Sequence, residues 1–281
     1  MKLRLTIALL LLTSAAVVFA QSKPVPHTKV ELVSETTSIA SGKKFTLGLR
    51  FHMDPDWHIY WYNPGDSGLP PSIAWHGSDG FSPGPLQWPL PQRMQNGTLV
   101  DYGYTGETML LVDITPPANI ATGSSAALIA DVKWLECEKI CVPQKTQVFI
   151  TLPFSRSAPQ PDPNLKDTFA KTRAAFPVEL PKDWHAYAET LKNDFRLHLK
   201  FPAAEASKFK EQPLFLPLAV SLIENAAPQK AIWHGDELVL DLRISEQYVK
   251  PVALLPGVLV LGSKGYTMYP KLFDRQITDS H

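Results

Sequence analysis

Strict alternation of apolar and polar residues is the feature that most constrains this chain. Phe45, Leu47, Leu49 and Phe51 alternate with Thr46, Gly48 and Arg50, the period of a strand with one buried face. Leu128, Ala130, Val132 and Trp134 alternate with Ile129, Asp131 and Lys133, and Val148, Ile150 and Leu152 repeat the pattern. Beyond a proline-rich interruption it returns. Phe195, Leu197, Leu199 and Phe201 are set against Arg196, His198 and Lys200, and Leu238, Leu240, Leu242 and Ile244 against Val239, Asp241 and Arg243. A period of two does not give a helix a continuous apolar face. Short, one-sided strands separated by turns predict an all-β chain with a β-sandwich in each half, two packed sheets rather than a single barrel. The 26 prolines against 15 glycines fit strands and turns better than long helices.

With 281 residues the chain is long enough for two such domains. Residues 1–20 carry a basic start (Lys2, Arg4), an apolar run from Leu5 to Val18 and Val18-Phe19-Ala20 before the expected cut, which predicts a signal peptide. The apolar run is shorter than a bilayer-spanning helix needs, and Val252–Leu261, the best later candidate, is shorter still and contains Pro256. The mature protein is therefore expected to be exported and soluble, in a compartment that permits disulfides. Residues 21–153 are expected to form the first sandwich, residues 154–164 a stiff linker, and residues 165–281 the second sandwich. Four prolines between Pro153 and Pro163 carry the linker assignment. Asn164 is placed to cap a short helix carrying Leu165, Phe169 and Phe176 on one face.

Charge narrows the function. Lys+Arg and Asp+Glu are 27 each, so nothing in the balance points to nucleic acid or an anionic membrane. No Gly-rich phosphate loop, G-x-S-x-G elbow or H-E-x-x-H helix occurs, so those enzyme classes receive no support and no cofactor is expected.

Chemistry concentrates at the two cysteines, in Trp134-Leu-Glu-Cys137-Glu-Lys-Ile-Cys141-Val-Pro143. On a hairpin with a three-residue loop they face each other across the strands, at a spacing a disulfide tolerates. A bridge closing so small a loop contributes only ~2 kcal/mol, less than one joining distant strands. A tight bridge at a hairpin tip suits exchange better than stapling, although a structural staple in a noncatalytic β-sandwich binding or assembly protein stays open. Glu136 and Glu138 oppose a thiolate at Cys137, while Lys139 favours one at either sulfur. Copper or zinc is a third reading, but two sulfurs do not fill a tetrahedral site and no histidine lies close in sequence; His58 or His76 would have to approach through the fold.

Two aromatic segments accompany the cysteines. Trp57-His-Ile-Tyr60-Trp-Tyr62-Asn-Pro-Gly-Asp66-Ser-Gly-Leu-Pro-Pro71 is aromatic and then turn-rich, with about half its rings expected in a core by alternation. Asp101-Tyr102-Gly103-Tyr104-Thr105-Gly106-Glu107 reads as a mobile loop bearing large flat side chains.

Taken together, these two segments and the cysteine segment resemble the N-terminal periplasmic domain of the DsbD family of thiol:disulfide interchange proteins, in particular the branch related to the copper-sensitivity suppressor ScsB. The resemblance covers about residues 28–153 well and the second half more loosely. It implies tandem immunoglobulin-like sandwiches and a redox pair at Cys137 and Cys141. Cys141 would form the mixed disulfide, and a cap of Asp101, Tyr102, Gly103 and Tyr104 would pack over the bridge. It further implies thiol–disulfide oxidoreductase activity in the reducing direction, with a thioredoxin-like protein or domain as donor and oxidised periplasmic thiol proteins as acceptors. Three residues separate the cysteines here, against five in better-studied DsbD proteins and the shorter spacing of the ScsB-like branch. No membrane or thioredoxin domain accompanies the pair in this sequence, so either a separate membrane electron carrier is expected to supply the electrons or the module has been repurposed.

Overall fold

The structure, a computed structural model, describes residues 25–274 apart from residues 77, 78, 122, 210, 250 and 251. The signal-peptide expectation for residues 1–20 lies outside the described residues. The first half contributes ten strands: β1 (Thr28–Ser34), β2 (Phe45–Met53), β3 (His58–Gly65), β4 (Ser72–His76), β5 (Ser82–Gln87), β6 (Gln92–Asn96), β7 (Leu99–Thr105), β8 (Glu107–Thr115), β9 (Ser125–Cys137) and β10 (Cys141–Pro153). They form two sheets, β1-β2-β8-β5 and β10-β9-β3-β7-β6, with β4 also paired to β9. Leu47, Leu49 and Phe51 from one sheet and Leu128, Ala130, Val132 and Trp134 from the other meet in a common core, as their alternation requires.

Helix α1 (Lys166–Ala174) follows. The second half then adds β11 (Val178–Glu179), β12 (His185–Thr190), β13 (Asp194–Lys200), a short helix α2 (Ala203–Ala206), β14 (Leu214–Pro217), β15 (Lys230–His234), β16 (Glu237–Arg243), β17 (Gly257–Leu261), β18 (Lys264–Met268) and β19 (Lys271–Asp274). These strands build the sheets β11-β18-β17-β14 and β15-β16-β13-β12-β19. Phe195, Leu197, Leu199, Leu238, Leu240 and Leu242 fill the core between them. The chain is all-β, with two immunoglobulin-like sandwiches in tandem.

The sandwiches are joined by more than a linker. Leu216 and Val258 of the second sandwich pack within the apolar core of the first. The proline-rich segment is itself strapped to the first sandwich. Phe154 is buried and bridges to Ile39, Thr36 bridges to Pro161, and the Thr37 N–H donates to the Gln160 carbonyl.

One local expectation needs correcting. Helix α1 is flanked by Leu165, whose side chain makes no capping bond, and Asn164 does not cap it. The turn belongs to Asp162: its carboxylate accepts from the Asn164 N–H and its carbonyl from the Leu165 and Lys166 N–H groups. The apolar face is as expected. Leu165, Phe169 and Phe176 pack on Met109, Leu111 and Val33, so the helix covers the outer side of the β1-β2-β8-β5 sheet.

Candidate functional site

Strands β9 and β10 form a long hairpin whose last paired residues are Cys137 and Cys141. The two are joined in a disulfide with Cα atoms 4.2 Å apart. The sulfurs are unequal in exposure: Cys137 is 2% exposed, whereas Cys141 stands at the open start of β10. Ile140, between them at the tip, is 75% exposed.

Cys137 is buried by β3. Register places His58 opposite Cys137 and Ile59 opposite Glu136. Alternation then sorts the aromatic run by face. Ile59 and Trp61 enter the core of the sandwich, while His58 and Tyr60 lie on the other face with the disulfide. The Tyr60 hydroxyl donates to Cys137 Sγ at 2.8 Å and lies 3.4 Å from Cys141 Sγ. Its ring meets that of His58 edge-on, 5.2 Å between centroids. Burial raises the Tyr60 phenol above its ordinary range, with the neighbouring Ser67 side chain pulling the other way, so Tyr60 remains a protonated donor at neutral pH.

The Asp66–Pro70 turn between β3 and β4 lies over this tyrosine. Gly68, at φ +84°, presses so closely that a Cβ there would fall 2.2 Å from the Tyr60 ring. Only glycine fits that contact and that backbone conformation together. The turn is tied down by Asp101, whose Oδ1 accepts from both the N–H and the hydroxyl of Ser67. Asp101 is itself buried on β7, and its Oδ2 has no hydrogen-bond partner among the described residues.

The expected cap is therefore not a loop. Asp101 to Tyr104 belong to β7, and the pleat splits them between two faces. Asp101 and Gly103 face the site, Gly103 pairing with Tyr60 where a side chain would strike the Ile59 carbonyl. Tyr102 and Tyr104 face the core, where both are buried. The Tyr102 hydroxyl donates to Asn225 Oδ1 and that of Tyr104 to the Pro89 carbonyl. Burial raises both phenols, which stay neutral. Neither tyrosine bonds to a sulfur. The residue over the bridge is Tyr60, and the signal for it was available: two residues after His58, it shares the face that alternation leaves outside the core.

Charge around the sulfurs also differs from the linear reading. Glu136 is fully buried and accepts from the His27 N–H, Trp134 Nε1 and Gln144 Nε2, on the core side of the hairpin. Lys139 is paired with Glu138 at 3.1 Å on the tip. Of the two histidines that could have served as metal ligands, His58 lies in register opposite Cys137 and His76 pairs with Asp131. Among the described residues, no three His, Cys, Asp or Glu side chains cluster closely enough to hold a metal ion.

His58 carries a pH dependence. Burial lowers its pKa below the ordinary histidine value, with Asp101 raising it in part. The unfolded chain titrates near ~6.5, so the folded state holds the neutral imidazole more firmly, and stability is lost as pH falls below that value. Urea midpoints measured at about pH 7.5 and about pH 5 should drop further for the parent than for His58→Phe. Equal drops would assign the pH dependence to other groups.

Beside the hairpin, Leu69, Pro70, Trp134, Leu135 and Pro143 line a cleft of about 440 Å³. Among the described residues, no helix is long and apolar enough to cross a membrane.

Residues 29–153 match the family described as thiol:disulfide interchange protein DsbD, N-terminal. No curated protein matches the chain by sequence. Among solved structures, the N-terminal periplasmic domain of ScsB from Proteus mirabilis superposes with a TM-score of 0.61, covering 88% of this chain and 92% of that one at 13% identity. The periplasmic chaperone SfaE (TM-score 0.22, 6% identity, 87% of this chain and 100% of that one) and the E. coli chaperone DraB (0.21, 11%, 85% and 96%) are far more distant. The ScsB likeness establishes a shared fold across both sandwiches. The family match covers the half that carries the disulfide.

Proposed function

We propose that this chain, whose residues 29–153 match the family of DsbD N-terminal domains, is an exported thiol–disulfide exchange module working in the reducing direction. A thioredoxin-like protein or domain, itself supplied by a separate membrane carrier, would reduce the Cys137–Cys141 bridge. The module would then reduce oxidised thiol proteins of the periplasm. The observation that carries this reading is the asymmetry of the bridge: one sulfur is open to attack, and the other is buried beneath a hydroxyl donor.

The chemistry follows from that asymmetry. An incoming thiolate attacks the exposed Cys141 Sγ in line with the S–S bond. A new S–S bond forms between attacker and Cys141, and the old one breaks with its electron pair on Cys137 Sγ. That sulfur is buried, so its developing negative charge needs a donor, which the Tyr60 hydroxyl supplies at 2.8 Å. A second thiolate on the donor protein then attacks its own sulfur in the mixed disulfide and releases Cys141. The donor leaves oxidised and the module reduced. With an oxidised target the same steps run in reverse, Cys141 attacking and Cys137 resolving. The cleft, whose lining includes Leu135 and Pro143, each two residues from a cysteine, gives a partner apolar surface on the hairpin.

Mixing the oxidised protein with a reduced thioredoxin-like domain tests the proposal. The two should exchange electrons stoichiometrically, and much faster than dithiothreitol at equal thiolate concentration reduces the bridge. A domain no better than dithiothreitol would leave the bridge a structural one.

A further inference from the structure

The turn over Tyr60 is held from the second sandwich. Asn225, buried at the sandwich interface, donates from Nδ2 to Asp66 Oδ1 at 2.7 Å and accepts at Oδ1 from the Tyr102 hydroxyl at 3.0 Å. Its carbonyl accepts from Arg93 Nη2 at 2.9 Å. Asp66 in turn accepts the Val100 N–H at Oδ2 and donates its own N–H to the Val100 carbonyl. A second tie lies three residues earlier: Asn63, also buried, donates from Nδ2 to the carbonyls of Pro217 and Ala219. Both ends of the segment from Asn63 to Asp66 are thus fastened to the second sandwich. Immediately beyond come Ser67 and Gly68, which bear on Tyr60.

We propose that Asn225 is a positioning residue for the disulfide chemistry: through Asp66 and the turn at Gly68, the second sandwich holds the Tyr60 hydroxyl on the two sulfurs. This assigns the second sandwich a part in the exchange reaction, and it rests on the exchange reading above. The physical reason is geometric. Tyr60 assists a leaving thiolate only while its hydroxyl stays within hydrogen-bond reach of Cys137 Sγ, and that bond weakens steeply with distance and angle. On one side the ring is fixed by the sheet and on the other by the turn, so a loosened turn lets the hydroxyl drift. Asn225 is suited to the task because one side chain offers both the donor that Asp66 needs and the acceptor that Tyr102 needs.

The test is the rate at which dithiothreitol reduces the bridge in the intact chain at one fixed pH. Asn225→Ala and Asn225→Asp should each slow it about three- to tenfold, the range expected for one lost hydrogen bond. Asn225→Asp sets two carboxylates against each other. Adding Asp66→Asn reverses donor and acceptor across the same contact, so the double variant should recover a rate within about twofold of the parent. In a Tyr60→Phe background, where no hydroxyl remains to be positioned, Asn225→Ala should slow the reaction no further. If the Asn225 variants fail to fold, Tyr102→Phe removes one of its bonds with little change of shape and should slow reduction about twofold. Unchanged rates in the folded variants would overturn the proposal. So would equal slowing in the presence and absence of the Tyr60 hydroxyl, which would mark Asn225 as merely structural. Dithiothreitol needs no protein partner, so this result stands whether or not a thioredoxin-like domain proves to be the donor.

Discussion

Cys137→Ser, with Cys141 retained, should accumulate a covalent complex with a single-cysteine thioredoxin-like donor whose thiol is activated as a mixed disulfide with a small leaving thiol, and Cys141→Ser should not. The expectation follows from access. Cys141 is exposed at the start of β10, while Cys137 lies 2% exposed beneath Tyr60 and beside His58. A thiolate needs a straight approach to the sulfur it attacks, and only Cys141 offers one. With Cys137 gone from the module and the second cysteine gone from the donor, no thiol is left to resolve the mixed disulfide at Cys141, so it persists. Non-reducing gel electrophoresis after mixing with the activated single-cysteine donor reads the outcome directly. Capture through Cys137 at a comparable yield would reverse the roles given to the two sulfurs.

Tyr60→Phe should slow reduction of the bridge by small thiols about tenfold to a hundredfold while leaving the protein folded. A hydrogen bond to a charged acceptor contributes about 1.5–3 kcal/mol, and each ~1.4 kcal/mol is a factor of ten. The bond matters most when Cys137 leaves with negative charge, because the sulfur is then cut off from water. Phenylalanine keeps the ring and its contact with Gly68 and removes only the hydroxyl. Stopped-flow measurement against dithiothreitol at a single pH, with circular dichroism to confirm the fold, gives the comparison. A faster reaction would mean that the hydroxyl shields the sulfurs rather than assisting departure.

Much of this architecture was legible in the sequence, and the reasons for the rest are specific. The period-two runs at Phe45–Phe51, Leu128–Trp134, Phe195–Phe201 and Leu238–Ile244 foretold strands with one apolar face, and each supplies a sandwich core. The spacing of Cys137 and Cys141 foretold a hairpin pair, which the register gives directly. The segment Asp101–Glu107 reads as a loop in sequence because its two glycines, Gly103 and Gly106, weigh toward flexibility when it is taken alone. In the sheet Gly103 serves instead to let β7 approach the Ile59 carbonyl, and the tyrosines take the inward positions of an ordinary strand. A tertiary close approach of that kind leaves no mark in local pattern. Tyr60 and His58 were half legible. Alternation along their largely aromatic run sorts its faces but does not say which face meets the cysteines, and only the pairing of β3 with β9 decides that. Asn63 and Asn225 had no sequence signal at all, since their partners lie in the other sandwich, 154 and 159 residues away.

The central claim is that the Cys137–Cys141 bridge is made to be exchanged, and its reduction potential is the most direct measure of that. Equilibration of the folded protein with defined dithiothreitol ratios, quenched by acid and scored by thiol alkylation, gives the value. An exchanging bridge is predicted to lie above about −300 mV, within reach of thioredoxin-like donors near −270 mV and disulfide-bonded targets. A potential well below about −300 mV is that of an inert structural disulfide, and it would contradict the account.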